Sequence, residues 1–376
     1  MSSVKVFHTA DLHIGAEVSY LGNLAEKRRF EIASVFGSIV DTCLKNNVEI
    51  CLIAGDLFDS NAAALEFAHS VLEYISSAKH IRFCLVLGNH DPLDALSPFK
   101  SKILPENLYV FGADYEIKEF EDIKVRVIGR SFVHSSMDTK DFSTVLPDDD
   151  FINIMLLHAD VASDSKSPYN PINREFIENC GADYLALGHI HRRTKLAKFG
   201  ETYFAYSGCP EGHGFDEEGV QGGYLGTVEK GKTDLSFIRL CRRIHKTEKI
   251  DVSSAASSLS AVNIILEKLS LDYGEGFEND LYKIILTGTL KEGVHLKTAE
   301  ILQGLKDRLY FVKIIDNTRP EYNLDILKNE ISLRGVFTKL MLERLEDAEE
   351  IEKEDILSAL YLGLSAFDSE VTYYED

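Results

Sequence analysis

The chain has 376 residues, 45% of them hydrophobic, and a formal net charge of -21 at pH 7. Such a chain can bury one large core and a smaller one, and no apolar run approaches the length of a membrane span. The six cysteines, at 43, 51, 84, 180, 209 and 241, make no C-x-x-C pair, so neither a zinc ribbon nor a disulfide framework is indicated. Met1 leads almost directly into the first predicted strand, and a cytoplasmic protein is the expectation.

Five short runs read as buried strands: Val4 to Thr9, Ile50 to Ala54, Phe83 to Leu87, Ile152 to Leu157 and Tyr184 to Leu187. All are apolar and rich in β-branched or aromatic residues. Helical periodicity from Leu24 to Lys45 and from Leu65 to Ala78 places helices between the first of them. The stretch from Tyr203 to Arg239 is rich in glycine and β-formers and predicts the second sheet of a sandwich, closing the domain. The organisation breaks near residue 245. A helix at about 260 to 269, a strand at Leu281 to Thr287, a helix at about 297 to 309 and a strand at Phe311 to Asp316 then form a small α/β unit. Leu327 to Leu345 and Lys353 to Phe367 read as amphipathic helices separated by the acidic run Glu346 to Asp355. Three parts are therefore expected: 1–244, 245–320 and an acidic helical segment 321–376.

The residues at the strand ends carry the chemistry. Asp11 and His13, Asp56, Asn89 and His90, His158, and His189 and His191 each stand directly after one of the five apolar runs. In open α/β sheets ligands gather outside the carboxyl ends of the strands, so these residues can converge on one crevice. Glycines at 55, 88 and 188 allow tight turns where a side chain would crowd an ion. A lone Asp-x-His or strand-end histidine is unspecific; the ordered set of carboxylates, amide and imidazoles reads as a two-metal hydrolase site. Mixed imidazole and carboxylate donors suit manganese, iron or zinc better than magnesium or calcium.

The segments FHTADLHIG, GDLFDS, LVLGNHD and DYLALGHIHRR, followed by YSGCPEG, resemble the calcineurin-like metallophosphoesterases. Within that family they are similar to the bacterial SbcD-type DNA-repair exonucleases, over roughly residues 1 to 240. The resemblance implies a four-layer αββα sandwich with a small α/β capping domain and carboxyl-terminal helices. It assigns Asp11, His13 and His191 to one metal and Asn89, His158 and His189 to the other, with Asp56 bridging. Manganese is the implied metal, with iron or zinc as alternatives. The implied reaction is hydrolysis of DNA by a metal-activated hydroxide, with His90 as general acid to the leaving oxygen. Asp59 stands where phosphatases of the superfamily keep an Asp that orients the equivalent histidine, whereas SbcD-type nucleases often have His; the bland alternative is a loop cap. Two rivals stand beside the nuclease: a phosphatase or small-molecule phosphodiesterase of the same fold, and a scaffold that has lost its chemistry. The complete ligand series speaks against the scaffold.

The charge of -21 runs against nucleic-acid binding, which draws on Lys and Arg. Its distribution softens that objection: from Arg344 onward there are two basic and eleven acidic residues, whereas 241–343 carries fifteen of each sign. Arg192 and Arg193, next to the last ligand, are candidates for phosphate-backbone contact. The cluster Arg239, Arg242, Arg243, Lys246 and Lys249 is a weaker one and could equally pair with the acidic tail. The final helices are expected to pack on their own domain or to dock, as the resemblance implies, on an SMC-like ATPase; two copies of the chain could also pair. His8 reads as a core or supporting histidine, and His213, in a glycine-rich loop, as a residue able to reach the site mouth. His69, His80, His134, His245 and His295 read as surface or packing residues.

Overall fold

The computed structural model describes residues 2–101, 103–138, 140, 142, 146–147, 149–162, 167–291 and 293–367. They form two compact units, Met1–Lys246 and Thr247–Asp376.

The first unit is built on two six-stranded sheets. One contains β1 (Ser3–Thr9), β2 (Ile50–Ala54), β3 (Arg82–Val86), β4 (Leu108–Val110), β11 (Gly222–Glu229) and β12 (Lys232–Arg239), in the order β12-β11-β1-β2-β3-β4. The other contains β5 (Glu116–Phe120), β6 (Val125–Arg130), β7 (Ile152–His158), β8 (Tyr184–Gly188), β9 (Ala197–Phe199) and β10 (Thr202–Tyr206), in the order β5-β6-β7-β8-β10-β9. β1 to β4 run parallel, as do β6, β7, β8 and β10. The stretch expected to close the domain as a second sheet is instead divided: β10 joins the second sheet, while β11 and β12 extend the first by antiparallel pairing on β1.

Strand alternation sorts the core into layers. Ile50, Leu52 and Ala54 face Val127, Ile154, Leu156 and Tyr184 between the sheets. Cys51 and Ile53 point the other way, into a layer with Phe36, Ile39, Val71 and Ile75 from α1 (Ala25–Lys45) and α2 (Asn61–Ser77) and Phe99 from the short α3 (Pro98–Ser101). Met155, Leu157, Leu185 and Leu187 cover the far side of the second sheet together with Ile177 of α4 (Arg174–Asn179). The result is the four-layer αββα sandwich. Each fully buried Leu, Ile or Phe contributes about 1.5–3 kcal/mol, so the doubly covered strands hold a rigid frame from which their carboxyl ends project. α2 begins earlier than its apolar pattern because the Ser60 hydroxyl caps it, accepting from Ala63 N–H at 3.2 Å.

The second unit carries a three-stranded sheet, β13-β14-β16 (His245–Asp251, Leu281–Thr287, Phe311–Asp316), of which β13 begins in the first unit. A two-stranded sheet pairs β15 (Thr289–Leu290) with β17 (Arg319–Pro320). Ala261, Ile265 and Leu269 of α5 (Ser258–Tyr273) and Ile301 and Leu305 of α6 (Thr298–Leu305) pack on Tyr282, Ile284 and Leu286. A Ser257–Ser260 capping box starts α5. The helix expected from Leu327 begins only at Leu333, as α8 (Leu333–Asp347) after the short α7 (Leu324–Leu327), because Ser332 caps its start by accepting from Gly335 N–H at 3.1 Å. α9 (Lys353–Phe367) contributes Leu360 and Leu364 to a small core with Leu327. No helix among the described residues is long and apolar enough to cross a membrane.

Candidate metal centre

The loops after β1 and β2 run side by side: Asp11 N–H donates to Gly55 O and His13 N–H to Asp56 O, both at 3.0 Å. The two sheets are tied together at the same end. His189 N–H donates to both Asp11 carboxylate oxygens at 2.9 and 3.1 Å, and His158 Nδ1 donates to Ala54 O at 2.9 Å. Holding side chains this way strains the main chain. Among the described residues seven non-glycines have positive φ, and four are Asp11 (52°), His13 (42°), Asp56 (48°) and His189 (103°). Such conformations cost about 1–3 kcal/mol each and persist where the surroundings dictate them. Two glycines make the room: a Cβ on Gly88 would lie 2.2 Å from Asp56 Oδ1, and one on Gly55, at φ +92°, would lie 2.3 Å from His158 Nδ1.

Ligand atoms converge in overlapping sets. Those of Asp11, His13 and His191 lie within 4.8 Å of one another, as do those of Asp11, Asp56 and His158, and those of His13, Asp56 and His90. His13 Nε2 faces His191 Nε2 at 3.1 Å, and His158 Nε2 lies 3.3 Å from Asp56 Oδ2 and 3.0 Å from Asn89 Oδ1. His189 reaches the site through its N–H; its ring stacks at 4.7 Å on Tyr169 and stands 5.2 Å from the His158 ring. Buried carboxylates and bare imidazole nitrogens aimed at a common point are the donor set of a borderline transition metal, so these residues fit a pair of divalent ions.

The charge balance without ions points the same way. Burial works against protonation of His158, but the Asp56 and Asp11 carboxylates raise its pKa to about 9. His191 likewise reaches about 9 against burial, through Glu217 and Asp11. Burial and the neighbouring His158 lower His189 to about 4. Burial opposes the charged form of Asp56, yet His158 and His13 hold its carboxyl well below the usual range. The cluster thus attracts positive charge into a buried place.

His90 is exposed; its main-chain N–H donates to Asp56 Oδ1 at 2.9 Å and its Nδ1 lies 3.1 Å from the Asp59 carbonyl oxygen. The Asp59 carboxylate points elsewhere, 3.3 Å from His13 Nδ1 at ion-pair distance without hydrogen-bond geometry. Asp91 braces the loops by accepting from Gly88 N–H at 2.8 Å and Phe58 N–H at 3.1 Å, and burial, then the Asp56 charge, push its carboxyl up to about 7. Its position inside GNHD was the available signal for that role.

One residue of the site had no strand to announce it. Glu217, in the loop between β10 and β11, binds His191 Nδ1 and also accepts from His213 N–H at 2.6 Å and His213 Nδ1 at 3.0 Å. His213 is thereby drawn to the mouth, its ring 5.5 Å from that of His13. His8 is buried away from the ligands against the Tyr184 hydroxyl at 2.7 Å. Arg192 is exposed beside the site, while the Arg193 guanidinium lies 3.9 Å from the centre of the Phe237 ring. Arg242 and Arg243 find acidic partners within their own unit. The Arg243 guanidinium binds both Glu31 oxygens at 2.7 Å, Arg242 N–H donates to Glu211 at 2.6 Å, and buried Arg28 joins Glu31 to Glu211.

YhaO of Bacillus subtilis (strain 168), an uncharacterized metallophosphoesterase, is 25% identical over 391 residues, spanning 96% of this chain and 90% of the relative. The DNA double-strand break repair protein Mre11 of Saccharolobus solfataricus is 26% identical over 69% of each chain. The SbcD component of the nuclease SbcCD of Rhodobacter capsulatus is 27% identical over 29% of this chain and 27% of its own. The calcineurin-like phosphoesterase family pattern matches residues 4–193, the span that carries all five ligand-bearing strand ends. The chain belongs to the calcineurin-like phosphoesterases, hydrolases of phosphoesters built around a dimetal centre.

Proposed function

We propose that the chain is a two-metal phosphodiesterase acting on DNA, an exonuclease of the SbcD and Mre11 type. The observation that carries the chemistry is the convergence of Asp11, His13, Asp56, His158 and His191 from four strand ends, with strained main chain at three of them. Asp11, His13 and His191 would hold one ion, Asn89, His158 and His189 the second, and Asp56 both. Such a pair, when bound, supplies an activated water and a clamp on the phosphate oxygens. Manganese, the metal the resemblance implies, is the first choice, then iron or zinc, which the same imidazole and carboxylate donors suit. The chain's own acid is His90. With Nδ1–H donating to the Asp59 carbonyl, the imidazolium form of His90 has its Nε2–H free to give a proton to the leaving oxygen, leaving the neutral ring with its hydrogen on Nδ1.

DNA as substrate draws its support from the named activities of the Mre11 and SbcD relatives and from exposed Arg192 beside the ligands. In this reading 1–244 is the nuclease domain, 245–320 is a capping domain that helps to position DNA, and the helices of 321–376 pack on their own core through Leu327, Leu360 and Leu364, with docking of an SMC-like ATPase as the alternative role of their outer faces. Two copies pair, and the protein works in the cytoplasm. The net charge of -21 favours a second reading, hydrolysis of a small phosphoester, because it weakens attraction to a nucleic-acid backbone.

The deciding experiment loads the metal-stripped chain with manganese and compares end-labelled single- and double-stranded DNA with a small chromogenic phosphodiester, using His90→Asn as control. Cleavage of DNA that disappears in the variant is the expected result. Hydrolysis of the small ester alone would overturn DNA as the substrate of the isolated chain.

A further inference from the structure

We infer that Glu217 is the positioning carboxylate of the His191 arm, fixing that imidazole so that its Nε2 faces an ion; the inference rests on the two-metal reading above. One carboxylate oxygen takes the proton on His191 Nδ1. With Nδ1 so engaged, Nε2 is the nitrogen left to meet an ion, and it is the atom directed at His13 Nε2, 3.1 Å away, within the set that includes Asp11. The other oxygen accepts from His213 N–H at 2.6 Å, from His213 Nδ1 at 3.0 Å and from Cys209 Sγ at 3.6 Å. Both oxygens are thus committed, and the side chain is only 9% exposed. A buried carboxylate with this many donors has one orientation open to it, and so therefore has the ring it holds.

The loop that carries Glu217 is anchored on three sides, which a clamp requires. Buried Arg28 Nη2 donates to Gly212 O at 2.9 Å, and the Tyr20 hydroxyl donates to His213 O at 3.1 Å. Gln221 Nε2 donates to Glu217 O at 3.0 Å. Arg28 is in turn held by Glu31 and Glu211, so the ion network behind the site fixes the loop and the loop fixes the ligand. Carboxylates that bind the far nitrogen of a ligand histidine typically account for about 10–100-fold in metal affinity.

The test titrates the metal-stripped full chain with Mn²⁺ alone and follows free ion by electron paramagnetic resonance, for the wild type, Glu217→Gln and Glu217→Ala. Circular dichroism checks that each is folded. The expected result is two ions in the wild type and, in Glu217→Gln, one site weakened about 10–100-fold with the other unchanged. Turnover in the variant should then recover as Mn²⁺ is raised, which a merely structural defect would not do. Two wild-type-like affinities in both folded variants overturn the role of Glu217 alone. A wild-type chain that binds no ion overturns the metal reading and this inference with it.

Discussion

In residues 1–246 the interior holds Asp11, Asp56, Asp91, His158, Arg28, Glu31, Glu211 and Arg243, and all seven positive-φ non-glycines of the described chain lie there. In residues 247–376 the buried polar residues among those described are Ser258, Asp280 and Thr338, within a core of Ile250, Val252, Ile265, Ile284 and Leu286. The second unit follows the ordinary rule that apolar side chains go inside. The first breaks that rule at one end of its sheets and at the network behind the site. Buried carboxylates and left-handed backbone are unfavourable by themselves, and they persist because two apolar layers and an inter-sheet core over-determine the positions of the strands. The difference separates a unit that buries charged side chains around one centre from a unit whose described interior is almost wholly apolar.

The comparison can be broken most forcefully at Asp56. Its carboxylate lies 3.3 Å from His158 Nε2 and 3.6 Å from His13 Nε2, so it belongs to both halves of the centre. Asp56→Asn should lose bound metal and reduce phosphodiester hydrolysis by at least about 1000-fold, since ion-derived stabilisation is worth several kcal/mol. Elemental analysis of the purified variant beside its turnover checks this. Two tightly held ions would remove Asp56 from the bridging position.

Next in size is Arg28→Ala. The guanidinium is fully buried between Glu31 and Glu211, and its removal leaves those carboxylates short of a partner. The expected loss is about 3–5 kcal/mol. Hydrogen exchange resolved by peptide should show it in residues 1–246 and leave the core of the second unit protected. Loss spread equally over both would mean that their stabilities are not separate.

This contrast also decides how much was legible in advance. Strands covered on both faces are continuous apolar runs, so Ile50–Ala54 matches its observed bounds and the residues after the catalytic-end strands could be named, while Leu281–Thr287 and Phe311–Asp316, less fully covered, were legible from apolar residues around a single lysine each. β5, with the sequence EIKEF, lies at a sheet edge, and its alternating charges conceal it. The division of β10 from β11 and β12 was hidden because composition marks strands and not the edge they pair with. Glu217 follows no strand and gains its meaning from His191, 26 positions away, through packing alone. Arg242 and Arg243 looked like a basic surface patch until Glu31 and Glu211 were placed beside them in space.

His90→Asn should slow turnover by about 100-fold while ion binding stays near normal, as expected of a general acid assigned to neither ion. Metal content and turnover measured on the same preparation would show it; an unchanged rate removes His90 from proton transfer.

The smallest effect should come from Asp59, and it sharpens the comparison because it separates main chain from side chain inside the site. His90 Nδ1 meets the Asp59 carbonyl, which every substitution retains, and the carboxylate stands by His13 Nδ1 instead. Asp59→Asn keeps an oxygen near His13 and removes only its charge, a change worth about 1 kcal/mol or about fivefold in rate. Turnover at saturating metal should fall by no more than that, with the response to His90→Asn preserved in the double variant. A loss as large as that of His90→Asn itself, with no further effect when the two are combined, would mean that the carboxylate orients His90 during turnover. The strained loop after β2 would then act through a side chain and not, as the hydrogen bonds have it, through its backbone.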